Sequence, residues 1–378
     1  MLFVKTEDLK QGMRLARPIY NKNGVLLFER DSRLTKQGID SVKNFGLIGL
    51  FVLEPAEPVP PMTQEDLDFE RFQTMAVFQI KDELDYIVRM GKPSKLQSIV
   101  DSLIKNYGHL DRSINFVQNL RSGEDYTYKH ALNVALLCTM MSHALNLRVD
   151  ERQDVIIAAL LHDIGIIPLL LNQKERYKLD DPSVVHAAKV DGLRIIENTF
   201  ASSPNIKRIC FQCQRILDKF EEGDGYQNIK LVEGAKILVV AEVFDTMTAM
   251  QLDKEPDSEV AAIKHLLENP DLFDPKVVDA LISSINILTP GVSVELNTGA
   301  KALVLAANKV NILRPMLLCF EDNSIIDLGN EFIYGDMEIV DIMKTMDNRH
   351  IMDMAALKKQ GFDVDEPEYV AVTAGKEL

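Results

Sequence analysis

The stretch "LLHDIGIIPLLL", Leu160 to Leu171, sets an imidazole and a carboxylate side by side in a segment that is otherwise almost wholly apolar. Such a segment belongs in a core, where an unpaired charge costs several kcal/mol. His162 and Asp163 must therefore be compensated. One solution is a helix that ends near Gly165, with His162 in its last turn facing the helix dipole. The other is a bound cation. What the rest of the chain supplies decides between them.

Two further places put polar groups on apolar faces. In the helix expected after Asp125, His130 lines up with Val134, Leu137, Met141 and Leu145. Alone it reads as a core histidine satisfied by a backbone carbonyl. Downstream, "KILVVAEVFDTMTAM" puts Glu242 on one helix face with Leu238, Asp245 and Ala249. Carboxylates three residues apart repel each other, and on a buried face they demand a cation, a proton or an arginine. Together His130, His162, Asp163 and Glu242 make a nitrogen and oxygen donor set suited to Mn, Fe or Zn. A metal there would compensate the buried charge and activate water against a phosphodiester.

At 378 residues the chain is expected to form two or three domains. Its net charge of −15 repels nucleic acid and anionic lipid in general, so neither DNA nor a membrane is an expected partner. A phosphate-bearing ligand then needs a locally positive or metal-loaded pocket. Four cysteines, Cys138, Cys210, Cys213 and Cys319, are too few and scattered for a disulfide framework. The start "MLFVKTEDLKQGM" has no apolar signal core, and no run reaches roughly 18 continuous apolar residues. These features predict a cytoplasmic protein. "CFQC", Cys210 to Cys213, lacks the second pair of a zinc site and reads as a reduced helical pair, with Cys213 as a replacement ligand the other reading. "FEDNSIIDLG" lacks the spaced oxygens of a calcium loop and reads as a turn.

The patterning predicts a mainly α protein: a helical bundle flanked by a small N-terminal β-containing module and a small C-terminal antiparallel β module. Residues 1–53 form the first module, with a hairpin at Asn23-Gly24, a short helix in "TKQGIDSVKNFG" stopped at Gly46, and a strand in "LIGLFVL". Residues 54–63 are a proline-rich linker. Residues 64–123 read as a helical connector or dimerisation helices, since the apolar helix from Gln64 to Met90 can pair with a copy of itself in a homodimer. Residues 124–285 are the main helical domain. Residues 286–378 alternate around Asn/Gly and Asp/Asn turns as a β module, then end in an acidic tail.

The order of these motifs resembles the HD phosphohydrolase superfamily, and most of the chain is similar to its HD-GYP branch, the bacterial cyclic di-GMP phosphodiesterases. "ALLHDIG" matches the name-giving motif; "GDGYQ" stands at the glycine loop and "VVAEVFDTMTA" at the closing acidic helix. "DLKQGMRLARPIYNKNGVLLFERDSRLT" resembles the small N-terminal module of that branch, and "FDPKVVDAL" and "TPGVSVELNTG" resemble the segments that follow the acidic helix. The resemblance implies an HD-domain bundle, metal ligation by His130, His162, Asp163 and Glu242, and a cyclic dinucleotide ligand. It makes Asp163 the catalytic candidate, orienting the attacking water, and Gly223, Gly225, Tyr226 and Lys254 the ligand-binding candidates, with Tyr226 stacking on a base.

The departures from the family are equally specific. Ile166 stands where the family has a lysine, and the next ligand histidine falls on Ala188. His186 is two positions away, rotated roughly 200° around a helix. The tandem histidines before the glycine loop are absent; Cys213, Gln214 or Leu217 stands there. Glu242 is one methylene longer than the family's closing carboxylate. The basic segment after it becomes Gln251-Leu252-Asp253-Lys254, in which only Lys254 keeps a positive charge. What survives suits at most one divalent ion, whereas this type of hydrolysis uses two ions about 3.5–4 Å apart. The expectation is a degenerate signalling protein that binds a ligand or a partner protein with little or no turnover. The alternative is an active phosphohydrolase with a single metal, acting on cyclic di-GMP or a smaller phosphoester.

Overall fold

A computed structural model describes residues 2–53, 62–172, 179, 181–222, 230–251, 255–308 and 310–342, with the backbone alone described at 2 and 219–222. The chain divides into two compact units, Met1–Met75 with Leu288–Leu378, and Ala76–Ile287. The architecture is mainly helical with small antiparallel sheets towards both ends.

In the first unit, strands β1 (Leu2–Lys5) and β2 (Arg14–Leu15) flank a later strand in the order β1-β5-β2. After β2, β3 (Ile19–Tyr20) and β4 (Leu26–Phe28) form the hairpin expected at Asn23-Gly24, a two-stranded sheet of its own. Gly24 takes φ +71, which the tight turn requires. Helix α1 (Lys36–Asn44) starts where the Thr35 hydroxyl accepts the Gly38 N–H at 3.1 Å, and the chain leaves it through Gly46 at φ +67. Strand β5 (Gly49–Leu53) follows and lies at the centre of its sheet. Leu15, Leu34, Val42, Leu50 and Val52 make the core here.

The same unit holds a second, five-stranded antiparallel sheet. Its strands β6 (Ser293–Leu296), β7 (Lys301–Ala306), β8 (Met316–Cys319), β9 (Ile325–Asp327) and β10 (Ile339–Ile342) run in the order β10-β6-β7-β8-β9. Val294, Leu296, Ala302, Val304 and Leu317 are buried, as the alternating pattern requires.

The helical unit takes in most of α2 (Gln64–Met90) and then α3 (Leu96–Tyr107), α4 (Tyr126–Ala144) and α5 (Val149–Leu161). It continues through α6 (Ile167–Leu171), α7 (Pro182–Thr199), α8 (Pro204–Glu222), α9 (Glu233–Thr248), α10 (Glu259–Glu268) and α11 (Pro275–Ser284). α4 and α9 are buried on nearly every face and pack on each other, with α5 and α11 against both. A helix hydrophobic all round is a central helix, so every polar side chain it carries must find a partner inside the protein.

The decisive stretch is broken at its polar pair. α5 stops at Leu161, His162 caps it in helical conformation, and a 3₁₀ turn at Ile164–Ile166 leads into α6. By length and apolarity Val149–Leu171 could cross a membrane, but 67% of that window is buried in the fold. Its apolar character serves the core.

The 3₁₀ turn lies directly against α7, backbone to backbone. A β-carbon on Gly165 would run into the Ala188 carbonyl and sit 2.7 Å from the Gly192 nitrogen; one on Gly192 would sit 2.8 Å from the Gly165 nitrogen. Neither glycine needs its conformational freedom here; both are needed for lack of volume. Gly165→Ala should therefore push α7 away and destabilise the protein by about 3 kcal/mol, read from the midpoint of urea unfolding at constant slope. A change under about 0.5 kcal/mol would show that the approach is not tight.

Candidate metal centre

The site is built from the two buried helices and the turn between α5 and α6. α4 brings His130 and Asn133, α9 brings Glu242 and Asp245, and the turn brings His162 and Asp163. All but His162 are classed as buried, and the His162 side chain is only 6% exposed.

Asp245 anchors the group. Its Oδ1 accepts from Arg121 Nη2 at 2.7 Å, Gln118 Nε2 at 3.0 Å and Asn133 Nδ2 at 3.0 Å. Its Oδ2 meets His130 Nδ1 at 2.6 Å. Burial alone would raise this carboxyl, but the Arg121 guanidinium and the His130 hydrogen bond outweigh burial and hold it well below the usual carboxylate range. Arg121 is itself wholly buried, its guanidinium lying over the Tyr126 ring at 5.1 Å.

An ionised Asp245 only accepts, so His130 must carry its proton on Nδ1. His162 is fixed the same way, donating Nδ1–H to the Ala159 carbonyl at 2.7 Å. Both rings therefore turn Nε2 to a common point. His130 Nε2 lies 2.6 Å and His162 Nε2 2.9 Å from Glu242 Oε2, with 3.2 Å between the two nitrogens. Orienting imidazoles through Nδ1, so that Nε2 faces a shared point, is how proteins prepare histidine ligands. Asp163 stands just outside, 4.0 Å from His130 Nε2 through Oδ2 and 3.9 Å from His162 Nε2 through Oδ1.

The donor set passes the chemical test for a divalent ion. One ligand atom from each of His130, His162, Asp163 and Glu242 lies within 4.8 Å of all the others. Two imidazole nitrogens and two carboxylate oxygens suit a borderline or hard divalent metal. Without an ion, a proton must lie between His130 and Glu242. Burial disfavours the imidazolium, but Glu242 and Asp245 prevail and raise the His130 pKa well above its ordinary value. Burial likewise opposes the Glu242 carboxylate, which His130, Lys189 and His162 hold ionised, far below its usual range.

One participant was not expected. Lys189, on α7, places Nζ 3.0 Å from Asp163 Oδ1 and 3.5 Å from Glu242 Oε1. Burial works against the ammonium, but Asp163 and Glu242 overcome it and raise the Lys189 pKa. Among the described residues, Asp163 Oδ1 meets no hydrogen-bond donor other than this ammonium.

The other candidates fall as follows. His186 points away: it is half-exposed and 3.5 Å from Asp218. Ile166 is buried in the core. Cys138, Cys210 and Cys213 are buried free thiols whose pKa values are raised by burial first, and Cys210 donates to the Ala158 carbonyl at 3.5 Å. Protonated buried thiols of this kind are unreactive. None of them joins the four-residue donor group among the described residues. Gly223, Gly225, Tyr226 and Lys254 lie outside the described residues.

Sequence reasoning missed Arg121, Gln118, Asn133 and Lys189. The demand for an arginine was legible in the Glu242–Asp245 spacing, though not which one. Asn133 follows His130 by three residues on one helix, a signal that was available. Arg121 is the sharpest test of the polar network. Arg121→Met should cost about 3–5 kcal/mol in chemical unfolding, because it leaves Asp245 buried without its counter-charge. A loss below about 1 kcal/mol would mean that the other donors suffice.

Comparison with known proteins agrees with this geometry. The family model described as HD domain matches residues 115–277, a segment that contains all four donor residues, Asp245, Arg121 and Lys189. A cyclic di-GMP phosphodiesterase of Pseudomonas aeruginosa is 24% identical over 363 residues, which cover 84% of this chain and 84% of that protein. Residues 115–277, within the helical unit, thus match an HD domain, and the chain is similar over most of its length to a cyclic di-GMP phosphodiesterase.

Proposed function

We propose that this protein is a degenerate HD-GYP-like signalling protein of the cytoplasm, which binds a cyclic dinucleotide or a partner protein and hydrolyses phosphodiesters weakly or not at all. One observation carries this reading. Donor atoms of four side chains lie close together, a set that would serve one ion completed by water, and the next cation on their carboxylates is an ammonium. In this reading His130, His162, Asp163 and Glu242 hold at most one Fe, Mn or Zn ion. Such an ion supplies Lewis acidity towards a phosphoryl oxygen. Asp245 and the Ala159 carbonyl keep the two rings in register, and Asp163 can accept from a water and aim it.

The cyclic dinucleotide is favoured as ligand by the relative's name, which assigns cyclic di-GMP to that protein. The test is turnover of cyclic di-GMP by full-length protein loaded with Mn²⁺ or Fe²⁺. Product formation should stay near background and be little changed by Asp163→Asn. Robust turnover that Asp163→Asn abolishes would overturn the reading.

The completeness of the donor set favours a second reading, a phosphohydrolase working with one metal on a smaller phosphoester. It predicts near-stoichiometric Fe, Mn or Zn after gentle purification. Metal analysis that finds none removes it.

A further inference from the structure

The carboxylates of Asp163 and Glu242 each face both the imidazoles and Lys189. Glu242 turns Oε2 to the imidazoles and Oε1 to Lys189; Asp163 Oδ1 lies 3.0 Å from Lys189 Nζ and 3.9 Å from His162 Nε2, and its Oδ2 lies 4.0 Å from His130 Nε2. Two cation positions therefore share one pair of bridging carboxylates. The imidazole side has the nitrogen donors of a metal ligand set. The other side is already filled.

We propose that Lys189 is the resident second cation of this cluster: its ammonium occupies the outer side of the bridging carboxylates and limits the site to one divalent ion. The inference rests on reading the four-residue group as a metal site.

Three features hold the ammonium in place. The side chain is 19% exposed, so most of it lies within the protein. Its helix is fixed against the metal-bearing turn by the Gly165–Gly192 approach, which leaves Lys189 little freedom to withdraw. Charge completes the argument. Asp245 is answered by Arg121 and leaves Asp163 and Glu242 as the two charges open to a cation. One divalent ion with Lys189 already exceeds them by one positive charge. A second divalent ion would face a lysine ammonium across the same oxygens, where like charges repel strongly for want of water.

A lysine here also differs from a second metal in what it offers a ligand. An ammonium presents N–H donors and a fixed single charge to a phosphate, and it generates no nucleophile. That suits capture of a phosphoester better than its cleavage.

The experiment is titration of full-length protein with Mn²⁺, following free ion by electron paramagnetic resonance and heat by calorimetry. Wild type should take one ion per chain. Lys189→Met, which keeps the length of the side chain without its charge, should bind that ion at least about tenfold more tightly, a change of about 1.4 kcal/mol. Lys189→Arg should stay within about threefold of wild type. Tighter binding in Lys189→Met supports the proposal even if wild type takes no ion without that substitution. Two ions per wild-type chain, equal or weaker binding in folded Lys189→Met, or no ion in either protein would overturn it. If circular dichroism shows Lys189→Met unfolded, the wild-type count of one ion or two decides. Turnover plays no part in these readouts, so the low-activity reading and this one can fail separately.

Discussion

The His130 imidazole, held between Asp245 and Glu242, is the interaction on which the site depends. Its two ring nitrogens do different work. Nδ1 is committed to a carboxylate that three other donors already pin, and this leaves Nε2 to face the cluster. Because α4 and α9 are buried on almost all sides, none of these groups can turn to water for relief. The polar network and the apolar packing around it are therefore one structure: the helices position the donors, and the donors fix how the helices face each other.

Charge explains the remaining design. Asp163, Glu242 and Asp245 bring three negative charges into the core, and Arg121 and Lys189 answer two of them. The third is met by a proton on His130 or by a bound cation. A site whose books nearly close from its own side chains has little electrostatic demand for two metal ions. The glycine contact between the 3₁₀ turn and α7 makes this possible, since it brings the lysine-bearing helix down onto Asp163.

Much of this was legible in the chain. The hairpin at Asn23-Gly24, the helix stopped at Gly46 and the long helix from Gln64 to Met90 follow from local turn chemistry and periodicity, which act over a few residues. His130, His162, Asp163 and Glu242 were singled out because each breaks an apolar pattern, and they do converge. The partners that neutralise them were not legible, because Arg121 precedes Asp245 by 124 residues and no periodic pattern spans that distance. Lys189 shows a different limit. It stands beside Ala188, where the family has a histidine, and no apolar pattern in the sequence marks it as buried. Only the close approach of two glycines turns it inward, and a glycine's missing side chain leaves no signature of what will pack there.

The account's central claim is that one ion and one ammonium share the two carboxylates. Crystals of the full-length protein soaked in Mn²⁺ and measured at the manganese absorption edge test it directly. A single anomalous peak between His130, His162, Asp163 and Glu242, with Lys189 Nζ still on Asp163, is the expected result. Two peaks a few ångströms apart, with Lys189 swung out of the cluster, would contradict it.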